Sequence, residues 1–159
     1  MKIEDFKGLM DAFDPAALLP ELDSIMGVLE FAMEIAVLAG PVVLLVLGLL
    51  YLFAAPKEAN YYLGYRCFFG MGSVEAWRFT QRLAGVVWSA LGIVLTVIMA
   101  IISTGFDSKD TAQVIGTAMS CILWEAVLAA VSAVAINTIV ALNFDADGEL
   151  RKKEPAASK

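Results

Sequence analysis

The chain has 159 residues, 60% of them hydrophobic, with a formal net charge of −6 and a mean hydropathy of +0.76. A soluble domain of this length does not need so apolar a composition, so an integral membrane protein is the expected class. The acidic balance offers no dense basic patch and argues against a nucleic-acid partner. The absence of histidine excludes histidine-based catalysis and histidine metal sites.

The first 29 residues are acidic. Glu4, Asp5, Asp11, Asp14, Glu21 and Asp23 face only Lys2 and Lys7. Asp14-Pro15 is a helix-start signal, with Asp at the N-cap and Pro at the first helical position. Leu18, Leu22, Ile25, Met26 and Leu29 follow at helical spacing, which predicts an amphipathic helix on the membrane surface or against the bundle. Pro20 is expected to strain or break its first turns. No basic stretch leads into a short apolar core and a small-residue cleavage site, so the first span is expected to act as its own targeting signal.

Ile35 to Ala55 is a run of 21 residues without a charge. At about 1.5 Å per residue it spans roughly 30 Å, one hydrocarbon core. Glu30 and Glu34 mark its near boundary, and Tyr51 and Lys57 suit the interface at its far end. Pro41 is expected to kink or loosen the helix near its start.

A polar hinge, residues 56–85, separates this run from the next. It holds four of the eleven basic residues (Lys57, Arg66, Arg78 and Arg82) beside Tyr61, Tyr62, Tyr65 and Trp77. Amphipathic rings and long cationic stems suit a membrane–water boundary. Ser73 is a candidate N-cap and Glu75 favours the positive helix end. Arg78 and Arg82 share one helix face, Trp77 and Gln81 a neighbouring one. The second apolar stretch is Leu83 to Ser103. After a short turn, Thr111 to Phe144 forms the third, capped by Asp110 and interrupted by Glu125 and Asn137. Asp145 to Lys159 reads as a charged, frayed tail.

The expected fold is an all-α membrane protein: three transmembrane helices, an amphipathic N-terminal helix and a cytoplasmic interfacial hinge. With three spans, hinge and tail share one side and carry four Lys/Arg each. The N-terminal segment and the turn share the other, with two and one. Eight against three places hinge and tail in the cytoplasm and the N-terminus outside. Cys67 and Cys121 read as small apolar fillers, without a disulfide between them.

The hinge also carries a resemblance. Pro56-Lys57, Asn60, Gly64-Tyr65-Arg66, Ser73, Glu75, Trp77 and Gln81-Arg82, with their flanking apolar helices, are similar to the motif of the SdpI family of small bacterial membrane proteins. The likeness covers roughly residues 40 to 142; Cys67 stands where the family usually carries Thr or Ser. It implies a function class. The named member is an immunity protein that protects its producer from a secreted peptide toxin and signals through a sequestered repressor.

Read physically, Gly64 permits a tight turn or a close backbone approach. Asn60 can bond neighbouring backbone and hold that turn. Arg66 offers five donors in a fixed fork, for helix-terminal carbonyls, a lipid phosphate or Glu75. Two readings stay open: Asn60, Gly64, Arg66, Trp77 and Arg82 form a clasp locking the hinge under the bundle, or they form a site for a ligand, lipid or partner. Glu125 is the other candidate. A carboxylate in a bilayer costs several kcal/mol unless protonated, paired or wet, which makes it a functional residue by default. It could pair with Arg82, reach water, bind a polar group of a toxin beside Trp124, or hydrogen-bond Ser89, Thr96 or Ser120.

No paired-carboxylate cleft, metal cluster or phosphate loop appears, so neither an enzyme nor a cofactor is expected. The partners expected are the lipid bilayer and a peptide toxin or membrane protein. Three helices bury little interface, which leaves room for a homo-oligomer. Immunity to a membrane-active peptide is the leading function. A small transporter or channel subunit using Glu125, or an accessory subunit of a larger complex, is the alternative.

Overall fold

The structure is a computed structural model that describes residues 15–60, 62–106 and 110–151, with side chains from residue 24 onward. Three helices account for most of it: α1 (Pro15–Phe53), α2 (Val74–Ser103) and α3 (Thr111–Asn143). A single 3₁₀ turn, Phe69–Met71, lies in the hinge. Among the described residues there is no strand, only one antiparallel bridge between Phe144 and Leu150.

All three helices are long and apolar enough to cross a membrane, over Ser24–Phe53, Val74–Ser103 and Thr111–Asn143. Their packing is that of a membrane protein. Large apolar side chains such as Val43, Val46, Ile93, Val97, Leu123, Val131 and Leu142 point outward. In the most apolar 18 residues of each helix only 22%, 28% and 17% of the residues are buried. Water would not tolerate that much exposed hydrocarbon; lipid does.

The N-terminal segment differs from the expected arrangement. α1 runs unbroken through Pro20 and Pro41 for 39 residues, about 58 Å, so the amphipathic stretch and the first span are one helix. Of the expected apolar stripe, Ile25 and Met26 point outward, 62% and 43% exposed. The Asp14 cap and the acidic residues before it lie outside the described residues. Pro41 is buried.

The interior divides into two cores. One gathers Val37, Leu95, Met99, Phe106, Val114, Ala118 and Cys121 at the end remote from the hinge. The other gathers Tyr65, Ala76, Ala84, Ile136, Val140 and Phe144 at the hinge end, with Cys67 packed against it. The two cysteines thus belong to different cores. Between them α1 and α2 approach through small residues, as membrane helices do. A Cβ at Gly92 would stand 2.5 Å from the Leu45 nitrogen and 2.7 Å from its Cα. One at Gly48 would strike the Ser89 backbone. At the end remote from the hinge, Thr111 donates to Glu30 Oε1 at 2.6 Å and ties the start of α3 to α1. Asp110 holds the N-cap position without a side-chain cap bond.

Because the obstacle at Gly92 is backbone, it cannot swing aside. Gly92→Leu is expected to destabilise the bundle by about 1–3 kcal/mol in equilibrium unfolding from mixed micelles. Val94→Leu, on the outward face at 54% exposure, is expected to stay within about 0.5 kcal/mol of wild type.

Candidate functional site

Before α2 begins at Val74 the hinge has little secondary structure of its own, so its backbone polar groups need other partners. Asn60 supplies the first. Its Oδ1 accepts from the backbone N–H groups of Tyr62 and Leu63 at 3.0 and 2.9 Å, closing a turn. Gly64 follows with φ +122°, and a Cβ there would lie 2.6 Å from the Trp77 ring and 3.0 Å from Gln81 Oε1. Glycine is required on both counts. Trp77 is fully buried and its indole N–H donates to the Pro56 carbonyl at 2.8 Å, joining the two ends of the hinge.

Tyr65 is the centre. Its N–H donates to Gln81 Oε1 at 2.7 Å, and Gln81 Nε2 donates to the Tyr65 carbonyl, also at 2.7 Å. The buried amide side chain therefore pairs with the hinge backbone as a neighbouring strand would. The Tyr65 hydroxyl reaches α3, donating toward Asn137 Oδ1 at 2.9 Å and the Ala133 carbonyl at 3.1 Å. Its ring meets Trp88 edge-on at 5.3 Å and Tyr51 at 6.3 Å, with Tyr51 and Trp88 5.6 Å apart. Trp88 donates to Ser132 Oγ at 3.1 Å. One residue thus connects all three helices. Burial raises the Tyr65 phenol above its ordinary value, with the nearby Cys67 and Tyr51 acting in the same direction. The hydroxyl therefore stays protonated and able to donate.

The start of α2 and the end of α3 close the hinge from below. Ser73 caps α2, accepting from the Ala76 N–H at 3.1 Å, and its hydroxyl donates to the Gly148 carbonyl at 2.7 Å. Residues 145–151, expected to fray, are held by hydrogen bonds instead, with Gly148 buried. Asp145 Oδ1 accepts from the N–H groups of Asp147 and Glu149. Arg151 donates through its backbone to the Asn143 carbonyl and through Nε to that of Phe144. Its guanidinium lies 5.9 Å from the Phe69 ring centre.

Asn60, Gly64, Tyr65, Trp77 and Gln81 therefore come together in one interior network. Arg66, Glu75 and Arg82 do not: all three are exposed, and none forms an ion pair among the described residues. The expected clasp loses its two arginines and gains Tyr65 and Gln81.

Glu125 occupies a separate place. It lies 14 residues from the start of α3 and 18 from its end, about 21 and 27 Å along the axis, near the middle of the helix. It is 5% exposed, and its Oε1 has no hydrogen-bond partner. Its other oxygen sits where a side chain at Gly40 would go, so the bare backbone of α1 makes room for the carboxylate. A cavity of about 210 Å³ opens there between α1 and α3, lined by Gly40, Leu44, Ile122, Glu125, Ala126 and Ala129. The expected hydroxyl partners are engaged elsewhere or idle. Thr96 and Ser120 donate to carbonyls of their own helices, and Ser89 Oγ is buried without a partner. Arg82 lines other cavities, and Trp124 points outward.

Sequence reasoning overlooked Trp88, Ser132 and the reach of Asn137 toward Tyr65. A polar Asn137 on an apolar helix was visible as an interruption, but its partner lies 72 positions earlier. Gln81→Ala would leave the Tyr65 N–H and carbonyl without their partner and is expected to cost about 1–3 kcal/mol in the same unfolding measurement. Tyr65→Phe, which removes only the hydroxyl bonds, is expected to cost about 0.5–1.5 kcal/mol. The reverse order would contradict the central place given to the amide pair.

Comparison with known proteins bears on the same region. The family model described as the SdpI/YfhL protein family matches residues 56–141, more than half of the chain. The match opens at Pro56, whose carbonyl holds the Trp77 indole, and takes in the Tyr65–Gln81 pair, all of α2 and Glu125. No curated protein and no solved structure matches the chain. On the breadth of the family match, this chain belongs to the SdpI/YfhL protein family.

Proposed function

We propose that the chain protects a bacterial cell against a secreted membrane-active peptide by engaging that peptide inside the bilayer, at the groove between α1 and α3. Membership of the family, whose named member is an immunity protein, supports the class of function. The observation that carries the site is Glu125: a buried carboxyl oxygen without a partner, beside an apolar cavity, near the middle of the helix. An unsatisfied polar atom in hydrocarbon is costly, and an incoming amide, hydroxyl or ammonium would relieve that cost. In this reading the protein sits in the cytoplasmic membrane with its N-terminus outside and the hinge and C-terminus inside, as the excess of Lys/Arg on the hinge side favours.

The same unpartnered oxygen favours a second reading, a small transporter or channel subunit in which Glu125 carries a proton or cation. Two measurements separate the readings. In a toxin-sensitive host challenged with the peptide, the wild-type chain is expected to raise survival. Glu125→Gln, which keeps shape and loses charge, is expected to reduce protection by an amount matching a ten- to hundredfold loss of affinity, roughly the value of one charged hydrogen bond. In proteoliposomes carrying a pH-sensitive dye, the binding reading expects no flux. Flux that disappears in Glu125→Gln would establish transport instead, and unchanged survival in that variant would remove Glu125 from the site.

A further inference from the structure

A second cavity lies at the hinge end, where α1 stops and α2 begins. It has a volume of about 210 Å³, and its lining includes Tyr51, Pro56, Lys57, Arg78, Gln81 and Arg82. None of its lining residues is a carboxylate. Lys57, Arg78 and Arg82 are exposed and form no ion pair among the described residues. Gln81 has its amide committed to Tyr65, so the donors left are the three cations and the Tyr51 hydroxyl. Such a convergence of unneutralised charge selects an anion with several acceptor oxygens.

The cavity does not stand alone. Arg82 also borders an apolar groove of about 240 Å³ formed with Phe79, Leu83 and Val86. Positions 79, 82, 83 and 86 share one face of α2, and Phe79 and Val86 are 37% and 54% exposed. The charged cavity lies just past Phe53, where the first apolar span ends, and against the first turns of the second, and the groove continues along α2 to Val86; long cationic stems at such a position reach for the headgroup layer. A free anion would use only the first of these features; a peptide would not need the second directly beside it.

We propose that this is a phospholipid site. The phosphate of an anionic headgroup sits among Lys57, Arg78 and Arg82, and one acyl chain lies along Phe79, Leu83 and Val86. The proposal is independent of the peptide-binding reading, since it shares no residue with the Glu125 groove.

The test is native mass spectrometry of the full chain purified in detergent and offered phosphatidylglycerol or phosphatidylcholine. Retention of phosphatidylglycerol over phosphatidylcholine is expected. Neutralising one cation by Arg82→Gln is expected to weaken it about fivefold, with Arg82→Lys restoring most of the loss. Dihexanoyl-phosphatidylglycerol, which has the headgroup without the long chains, is expected to bind more weakly than the dioleoyl lipid. Should Arg82→Gln fail to fold by circular dichroism, Lys57→Gln carries the same expectation. Equal retention of both lipids, undiminished retention in the folded variant, or displacement by inorganic phosphate at equal concentration would overturn the proposal.

Discussion

The rest of the hinge depends on one pair of hydrogen bonds, those exchanged between the Gln81 side chain and the Tyr65 backbone at 2.7 Å each. An irregular segment at a membrane boundary must satisfy its peptide groups without a ladder of its own, and leaving two of them buried and unmade would cost a few kcal/mol. A primary amide solves this because it carries the same donor and acceptor as a peptide bond. With Tyr65 fixed, its ring completes the cluster with Tyr51 and Trp88 and its hydroxyl reaches α3. The turn at Asn60 and the positive φ at Gly64 then follow as the means of delivering Tyr65 to that position while passing Trp77.

This arrangement divides the polar side chains into two groups. Asn60, Gln81, Ser73, Trp77 and the Tyr65 hydroxyl spend their hydrogen-bonding capacity inside the chain. Lys57, Arg78 and Arg82 at the boundary, and Glu125 Oε1 in the interior, do not. A residue whose donors and acceptors are already matched has little left for a ligand, so recognition chemistry is best sought among the second group. The motif quoted above mixes both groups, since it holds Lys57 and Arg82 beside Asn60, Trp77 and Gln81.

Much of the architecture was legible in the sequence because lipid imposes a simple rule: a run near twenty apolar residues must be helical and must span. The three spans and the Ser73 cap followed from that rule and from capping chemistry. The unbroken α1 did not, since Pro20 and Pro41 signal interruption locally and only packing decides otherwise. The site was legible in part. Asn60 and Gly64 declare their roles through backbone chemistry, and Glu125 through its cost in hydrocarbon. The exposed positions of Arg66 and Arg82, and the service of Gln81 to Tyr65, depend on contacts sixteen or more positions apart that no local pattern encodes.

The position of Glu125 gains meaning from the two cores around it. On α2 the hinge-end core reaches Trp88 and the remote core begins at Leu91; on α3 they are separated by the stretch from Cys121 to Ile136. Ser89 and Glu125, whose oxygens lack partners, both fall in these gaps, as does Gly48 on α1. The bundle is therefore closed by apolar packing at its two ends and by small and polar residues at its waist. A carboxylate placed in either core would have to displace tightly packed side chains, at a cost with nothing to offset it. Glu125 instead stands one turn beyond Cys121, at the edge of the remote core, where it meets bare backbone at Gly40 and an adjoining cavity. The fold can thus hold a polar group within an apolar span because α1 presents no side chain at Gly40.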